Sequence, residues 1–481
     1  MKSFFRRTVL FLFALFLALS VVLGTVGNFS HKSYVTELLI AAGMVLIAWR
    51  IRRKRNRSFL FADEKSAVRT AAVLTICCLV LNGAWVLLFR PVQAADYQTF
   101  WQAAVDLSEG NHPQAVDYLA MFPHILGYST FLSFFLKVFG QHVLVAALLN
   151  VVLTCISGLL IFRLARSWIS DEAAVLAFVF WMICPSKLLY NPMVLAEPYY
   201  SCLLLGFFFL LSETEKHEDT WGAAFFMLFG AMGGLLAGLV NTARPIGIVM
   251  LIALILWLLF LKEHTGKRLK WGALTVAAVL VYTLTGMLWN RYVTNQIGQE
   301  PPSIPGYNIY VGWNTETGGS YEDEDMTWFQ SRYFGEFERN AQETQKAMLE
   351  SAKERISSAK AEIPSLMLRK LRTLLGNDEG GAFYSRESLS GNAYALLCVI
   401  SNVWYYAVCL LALCGCGCLW RQKSGESVFA LVLCGLGLIL AQLLVEVAAR
   451  YHYSLIPELI LLAVCGAGSQ KKMQNGRKTE S

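Results

Sequence analysis

The sequence has little charge for its length. Only 16% of its 481 residues are Asp, Glu, Lys or Arg, whereas 56% are hydrophobic, and the apolar residues form many separate runs instead of one core. No strand-like alternation, internal repeat or low-complexity tract competes with these runs. Lipid accepts helices because a helix satisfies its own backbone hydrogen bonds. The composition therefore predicts an all-α polytopic membrane protein.

Cysteine is absent from the two large loops predicted on the outer face. All twelve cysteines lie in or at the edges of apolar runs, so the sequence predicts no disulfide framework. The segment "CGCGC" at 414–418 has neither a zinc nor an iron-sulfur spacing. Close helix packing through small residues and palmitoylation next to the membrane both remain open for it.

About twelve apolar runs approach the roughly 20 residues that a transmembrane helix needs. They are 8–27, 34–51, 68–89, 142–165, 172–190, 193–212, 222–242, 246–262, 271–292, 392–419, 427–447 and 453–468. The short segments on one side of these runs hold 24 Lys and Arg, against five on the other side. Because basic loops stay inside, we expect a multi-pass plasma membrane protein with both termini cytoplasmic. We interpret the first run as an uncleaved span.

The chain divides into four predicted regions. They are 1–67, two N-terminal spans and a basic cytoplasmic linker; 68–292, a transmembrane core with a first outer loop at 90–141; 293–391, a soluble outer-face loop region; and 392–481, the C-terminal spans and a basic cytoplasmic tail. The segment "YLAMFPHILGYSTFLSFFLKVFG" closes the first loop and favours a helix lying in the membrane interface. The excess of positive charge would attract anionic lipids, and nothing indicates nucleic acid.

Several cations lie at the outer ends of spans, where the positive-inside tendency disfavours them. The candidates for binding a lipid-linked phosphate are Arg244, Arg450, Lys187 and His452. Guanidinium groups match phosphate oxygens through two parallel hydrogen bonds. The alternative is that each side chain only extends toward the lipid headgroups, which keeps its charged end out of the hydrocarbon.

A carboxylate opposite these cations would complete a reaction site. Asp96 opens the first outer loop in "AADYQTF", where it can act as a general base toward an acceptor hydroxyl; the alternative is a capping or turn residue. Asp106, Asp117 and Glu197 are the next candidates for the base. The predicted substrate-binding residues are Tyr97, Glu197, Asn241, Tyr451, Trp313 and Tyr321.

The segment "YEDED" offers a weaker candidate, a metal site. Asp323 and Asp325 have a spacing that suits a hard divalent cation, although charged loop residues are commonly solvated surface. No other cofactor is predicted. The nearby "GWNTETGG" is either a loop that faces the substrate or a turn with no role in binding.

Five motifs together resemble the GT-C superfamily of polytopic glycosyltransferases that use polyprenyl-phosphate sugars. They are "AADYQTFWQAA", "LAEPYYSCLLLG", "ARPIG", "YVGWNTETGGSYEDED" and "EVAARYHYSLIPELILLA", joined by the aromatic segment that closes the first loop. The chain is most similar to bacterial relatives of protein O-mannosyltransferases and lipid A aminoarabinose transferases. The resemblance implies that Asp96 is the family's loop acid and that Glu197, Arg244 and Arg450 occupy its "EP", "RP" and "RY" positions.

The resemblance implies transfer of a hexose or pentose from a polyprenyl phosphate to a glycan, lipid or protein acceptor on the outer face. One base and one leaving phosphate suffice for direct displacement, so we expect inversion at the anomeric carbon. One departure counts against a protein acceptor, because protein O-mannosyltransferases have Asp-Glu where this chain has Asp96-Tyr97. A lipid or glycan transporter and an outer-face glycan ligase remain alternatives, and a requirement for Asp96 separates the transferase from the ligase.

Overall fold

The computed structural model describes residues 2–26, 33–54, 61–262, 266–421 and 426–467. Within these ranges the chain is helical and contains no strand, which confirms the predicted all-α class. Part of the predicted basic linker, at 55–60, and the predicted basic tail, at 468–481, lie outside the described residues.

Twenty-one α-helices make up the described chain. They are α1 Lys2–Val26, α2 Ser33–Lys54, α3 Glu64–Leu88, α4 Asp96–Glu109, α5 Val116–Met121, α6 Ile125–Phe139, α7 Val143–Trp168, α8 Asp171–Met182, α9 Pro185–Tyr190, α10 Glu197–Lys216, α11 Ala223–Ala243, α12 Gly247–Phe260, α13 Arg268–Ile297, α14 Gly306–Gly312, α15 Asp323–Ser331, α16 Ala341–Ser358, α17 Ile363–Leu375, α18 Gly380–Ser385, α19 Gly391–Arg421, α20 Val428–Leu444 and α21 Ile456–Ala467. A π-helical turn covers Arg332–Glu336, and 3₁₀ turns cover Lys360–Glu362, Arg386–Ser388 and Ala449–Leu455.

Every predicted span is helical over most of its length. Six helices are long and apolar enough to cross a membrane by length and composition, namely α1, α3, α7, α11, α13 and α19. Shorter apolar helices lie in α2, α6, α12 and α20. The structure therefore confirms a polytopic helical membrane protein in which several predicted spans are shorter than the sequence pattern indicates.

Two predicted spans are interrupted in the structure. The run at 172–190 divides into α8 and α9, because Pro185 lacks a backbone N–H and opens a new helix instead of continuing the old one. The run at 453–468 begins as the 3₁₀ turn Ala449–Leu455 and becomes α-helical only at Ile456. Hydrophobicity alone did not show either break.

Glycines allow the closest helix contacts. On α11, a Cβ at Gly230 or Gly234 would collide with a backbone carbonyl of α13, and one at Gly238 would lie 2.7 Å from the Thr285 side chain. On α19, a Cβ at Gly415 would collide with the Leu462 carbonyl of α21. Small residues at such spacing let membrane helices approach closely. The contact at Gly415 supports the packing explanation of "CGCGC".

The two outer loops contact each other. Gln345 of α16 donates from Nε2 to the Met121 carbonyl over 3.2 Å, and its Oε1 accepts from the Tyr307 N–H over 2.7 Å. The Tyr333 hydroxyl donates to Asp117 over 3.1 Å. The second loop, residues 293–391, which we call the outer layer, is therefore joined to α5 by buried and half-buried hydrogen bonds.

Candidate active site

Asp96 begins α4 and faces a residue from the far end of the chain. Ala95, with φ at 50°, turns the backbone directly before the helix. The Asp96 carboxylate forms an ion pair with Arg450, 354 positions later. Its other oxygen accepts a long hydrogen bond of 3.4 Å from the Tyr118 hydroxyl. The structure thus brings together the predicted base and one of the predicted cations.

Arg450 is surrounded by carboxylates and aromatic rings. Its Nε lies 3.9 Å from Oε1 of Glu197, and only 15% of the Arg450 side chain is exposed. Three ring centroids lie within 6 Å of its guanidinium carbon: Tyr384 at 5.6 Å, Tyr451 at 5.7 Å and Tyr97 at 5.9 Å. Arg450 therefore has two carboxylate partners already and is less available to a phosphate than the sequence suggested.

Arg244 has the opposite environment. It follows α11 directly, and its guanidinium carbon lies 3.8 Å from the ring centroid of Tyr451. Its guanidinium has no hydrogen bond or ion pair among the described residues, and the residue is half-buried. A guanidinium over an aromatic face keeps its N–H groups at the edge, where they can meet an anion.

A further carboxylate, Glu446, lies next to Tyr451. Its Oε2 accepts from Asn308 over 3.1 Å, and its Oε1 accepts from the Tyr451 hydroxyl over 3.3 Å. Burial raises the pKa of Glu446, and the charges of Arg450 and Arg244 oppose that shift. Glu446 is only 9% exposed, so its contacts favour a supporting role over contact with an acceptor.

The electrostatic surroundings keep Asp96 ionised. Burial would raise the pKa of its carboxyl, but the charge and hydrogen bond of Arg450 and the charge of Arg244 hold the pKa below its ordinary value. Burial and the charge of Arg244 lower the pKa of His124 to about 4. At neutral pH the Asp96 carboxylate therefore lies near two guanidinium groups and an uncharged imidazole.

Sequence reasoning missed three neighbours of the Asp96–Arg450 pair, Tyr118, His124 and Tyr384, and gave no role to a fourth, Glu446. Tyr118 and His124 lie in the aromatic segment that closes the first loop. The sequence located this segment but gave neither residue a role. Tyr384 lies on α18, in a part of the second outer loop where no residue was singled out. Their roles depend on contacts between distant parts of the chain.

Two predicted phosphate ligands are turned away from the pair. Lys187 is 1% exposed because α9 directs it into the bundle, where Nζ donates to the Met182 carbonyl over 3.1 Å and lies 5.5 Å from the Trp181 ring. The ring nitrogens of His452 lie 2.7 Å from the Leu374 carbonyl and 3.0 Å from Asp378. Phosphate binding by Lys187 or His452 has no geometric support.

The predicted substrate-binding residues differ in their exposure and in their contacts. Tyr97 is 5% exposed and packs edge-on against Tyr384, so its ring is covered. Tyr321 is 51% exposed and lies close enough to Asp96 and Glu446 for electrostatic interaction. Trp313 donates to the Leu444 carbonyl over 3.0 Å. Asn241 lies on α11 one turn before Arg244.

The two candidate metal ligands have protein partners. Asp325 forms a two-pronged pair with Arg355, at 3.0 and 3.1 Å, and accepts from Asn314 over 3.0 Å. Asp323 accepts from the Tyr321 hydroxyl over 2.9 Å. Within the described ranges no three His, Cys, Asp or Glu side chains are grouped to hold a metal ion. Metal binding at these residues stays a prediction.

Comparisons with known proteins bear on the superfamily. No curated protein matches the sequence. The crystal structure of ArnT from Cupriavidus metallidurans bound to undecaprenyl phosphate is similar over 85% of this chain and 78% of that chain, with 12% identity and a TM-score of 0.37; a likeness of this size carries no argument about the site. Residues 124–289 match the family described as dolichyl-phosphate-mannose-protein mannosyltransferase. The family match covers about a third of the chain and agrees with the GT-C resemblance of the sequence motifs.

Proposed function

We propose that this protein transfers a sugar from a polyprenyl-phosphate donor to an acceptor at the outer face of the plasma membrane. The family match supports a glycosyltransferase of the membrane. The observation that carries the proposal is the ionised Asp96 held by Arg450, with Arg244 unpaired on the neighbouring Tyr451 ring. A base and a free guanidinium are the two groups that this transfer needs.

The reaction is a single displacement. The acceptor oxygen attacks the anomeric carbon while its proton passes to the Asp96 carboxylate. The bond between that carbon and the phosphate oxygen breaks, and the phosphate leaves with the electron pair. Arg244 stabilises the charge on the departing phosphate, and attack opposite the leaving group inverts the anomeric carbon.

Arg450 supports the base in this proposal. Its ion pair fixes the direction of the Asp96 carboxylate, and its charge keeps that carboxylate ionised despite burial. Glu197, 3.9 Å from Arg450, holds the guanidinium from its other side. The donor-binding role expected of both arginines therefore falls mainly on Arg244.

The acceptor class is the open part of the proposal. The matched family is named for a protein acceptor, whereas Tyr97 stands where protein O-mannosyltransferases have a second acid. Tyr97 packs its ring between Tyr384 and Arg450, so it supports Asp96 from behind without replacing a carboxylate. A glycan or lipid acceptor fits this single-acid arrangement better than a protein does.

The test is donor consumption by the purified protein. Polyprenyl phosphates carrying radiolabelled hexoses or pentoses are offered with glycan, lipid and peptide acceptors, with and without EDTA, and the products are separated. We expect transfer from one donor class and none by the Asp96→Asn variant. Movement of intact donor across a vesicle membrane without cleavage would instead support a transporter, and transfer that does not need Asp96 would support a ligase.

A further inference from the structure

Arg244 is held in place by an aromatic ring, and that ring is held by a carboxylate. The Arg244 guanidinium lies 3.8 Å from the Tyr451 ring centroid, and the Tyr451 hydroxyl donates to Glu446 over 3.3 Å. We propose that Tyr451 and Glu446 are positioning residues that fix the Arg244 guanidinium for the donor phosphate. The inference rests on the proposed function and adds the means by which its phosphate ligand is placed.

Tyr451 controls both the place and the direction of the cation. With no hydrogen bond or ion pair among the described residues, the Arg244 guanidinium depends on the ring beneath it for its position. A free arginine side chain samples many rotamers, and holding it in one of them before the ligand arrives lowers the entropic cost of binding. A ring that turned about its own side-chain bonds would release the cation again.

Glu446 prevents that turn because two contacts of its own and one of the next residue fix it. Asn308 donates from Nδ2 to Oε2 of Glu446 over 3.1 Å, and the Asn308 carbonyl accepts the Glu446 N–H over 2.7 Å. One residue later, the Val447 N–H donates to the Gly319 carbonyl over 2.9 Å. The carboxylate is thereby attached to α14 and to the loop that follows it.

Lys370 fixes the same segment from α17. Its buried Nζ donates to the carbonyls of Leu443, Val445 and Gly312 over 2.8, 2.6 and 2.8 Å. These bonds join the end of α14 to the end of α20 and to the residue directly before Glu446. Contacts therefore run from the outer layer through Glu446 and Tyr451 to Arg244, so that the outer layer sets the geometry of phosphate binding.

The first experiment measures binding of undecaprenyl phosphate to the full-length protein in detergent. We expect Tyr451→Leu, which removes the ring, to weaken binding about tenfold. Glu446→Ala and Tyr451→Phe, which break the hydroxyl contact, should weaken it roughly fivefold. Glu446→Gln keeps an acceptor for the hydroxyl and should stay within about twofold of wild type. Unfolding temperatures confirm that each variant is folded.

The second experiment repeats these changes in an Arg244→Ala background. If Tyr451 and Glu446 act through Arg244, their substitution should then cause no further loss of binding, whereas independent effects would multiply. Kinetically, the donor KM should rise in the Tyr451→Phe variant while kcat at saturating donor changes less than twofold. A merely structural role would lower the unfolding temperature and leave the donor KM unchanged.

The outcomes separate the inference from the proposed function. If wild type binds undecaprenyl phosphate and Arg244→Ala weakens it, but Tyr451→Phe and Glu446→Ala do not, the inference is wrong and the function stands. Multiplicative losses in the Arg244→Ala background would also overturn it. If wild type binds no undecaprenyl phosphate, the donor class itself is wrong and the inference falls with it.

Discussion

At the scale of single residues, the site depends on Asp96 being both ionised and accessible to an acceptor. Its side chain is 32% exposed, so an acceptor hydroxyl can approach it, and its pairing with Arg450 keeps it deprotonated. A buried carboxylate without such a partner would bind a proton more readily. The pair therefore gives a weaker base than an isolated carboxylate, but one that is ready at every pH near neutrality.

Replacing the base should abolish turnover without abolishing binding. Asp96→Asn keeps the size of the side chain and its acceptor oxygen but cannot take up the proton, so we expect turnover to fall about a hundredfold or more. Binding of undecaprenyl phosphate should stay within a few-fold of wild type. Turnover within a few-fold of wild type would move the base elsewhere. Asp106, which accepts from Gln102 and the Gln114 N–H, would be a poorer substitute than Glu197.

Removing Arg450 should move the pH profile upward. In wild type, the pKa of Asp96 lies below its ordinary value, so the loss of kcat/KM that Asp96 causes should occur below the pH range of an ordinary aspartate. Arg450→Gln removes the charge that opposes burial, and the acid limb should rise by roughly 1–3 pH units. His124→Gln, introduced into both wild type and the Arg450→Gln variant, removes the titration of His124, whose pKa is about 4. Superimposable profiles would show that Arg450 does not tune Asp96.

Arg244 should bind the donor phosphate, and Lys187 should not. Arg244→Ala removes a charge-assisted contact, so donor binding should weaken by about 1.5–3 kcal/mol, or roughly tenfold to a hundredfold. Arg244→Lys should recover only part of this loss, because the two-pronged geometry is missing. Lys187→Met is the matched control, measured as the donor Kd. An equal loss in Lys187→Met would favour the original prediction from sequence over the structure.

The sequence predicted the types of residue in this site better than their partners. Asp96, Arg244 and Arg450 stood out because charges at the ends of apolar runs are costly without a role. Their pairing was hidden, since Arg450 and Glu446 approach Asp96 only after the first loop and the last spans have packed. Lys187 had the same sequence signal as Arg244, and only the direction of α9 separates the two.

At the scale of elements, α17 joins the outer layer to the membrane helices. Its last carbonyls, at Leu374, Leu375 and Gly376, face the ring nitrogen of His452 and accept from the hydroxyls of Tyr405 and Tyr406. One turn earlier, Lys370 donates to three carbonyls of other segments. Helix ends leave carbonyls without partners, and side chains of the bundle supply most of the partners here.

Loss of Lys370 should destabilise the protein. Lys370→Met keeps the length and apolar stem but leaves three carbonyls without their donor, and each costs about 1–3 kcal/mol when it stays buried and unsatisfied. The measurement is the unfolding temperature in detergent. Lys353→Met is the control, since Lys353 is exposed and, among the described residues, pairs only with Glu350, a contact worth about 0–1 kcal/mol. Similar unfolding temperatures in both variants would argue against the Lys370 contacts.

The helices of the membrane region followed from hydrophobicity, but their interruptions did not. Periodicity and length located all twelve runs, because apolar surface decides which segments enter lipid. The break before Pro185 could have been read from the proline itself. The 3₁₀ turn Ala449–Leu455 has no such marker. It places Arg450, Tyr451 and His452 consecutively, with each side chain contacting a different part of the protein.

At the scale of the whole molecule, the N-terminal helices belong to the packed body. Helix α1 ends beside α17, where a Cβ at Gly24 would collide with the backbone of Gly376. On α2, Glu37 accepts from Asn402 of α19 over 2.9 Å, and Tyr34 donates to Glu379 over 3.0 Å. The first two helices thus pack against the same layer that positions the site, although the sequence predicted them as a separate N-terminal region.

The contacts between the two loops and at the start of α3 predict a membrane topology, and three cysteines can test it. The two outer loops must lie on one side, because Gln345 bonds to the Met121 carbonyl. Glu64, at the start of α3, pairs with Arg163 and Arg166 over 3.2 and 2.7 Å. The 25 residues of α3 extend about 38 Å, enough to cross a bilayer, so we expect the Glu64 pairs and Asp96 to lie on opposite faces.

Single cysteines at exposed positions, in a background without native cysteines, should therefore divide into two groups. Asn111→Cys and Ser357→Cys, one in each outer loop, should react with an impermeant maleimide in intact cells, because basic loops hold the other face inside. Lys65→Cys, beside the Glu64 pairs, should react only after lysis. The opposite pattern would place Asp96 and Arg244 on the cytoplasmic face, and a donor presented outside could not reach them. If Asn111→Cys and Ser357→Cys reacted from different sides, the contact between the two loops would itself be wrong, and with it the link from the outer layer to Arg244.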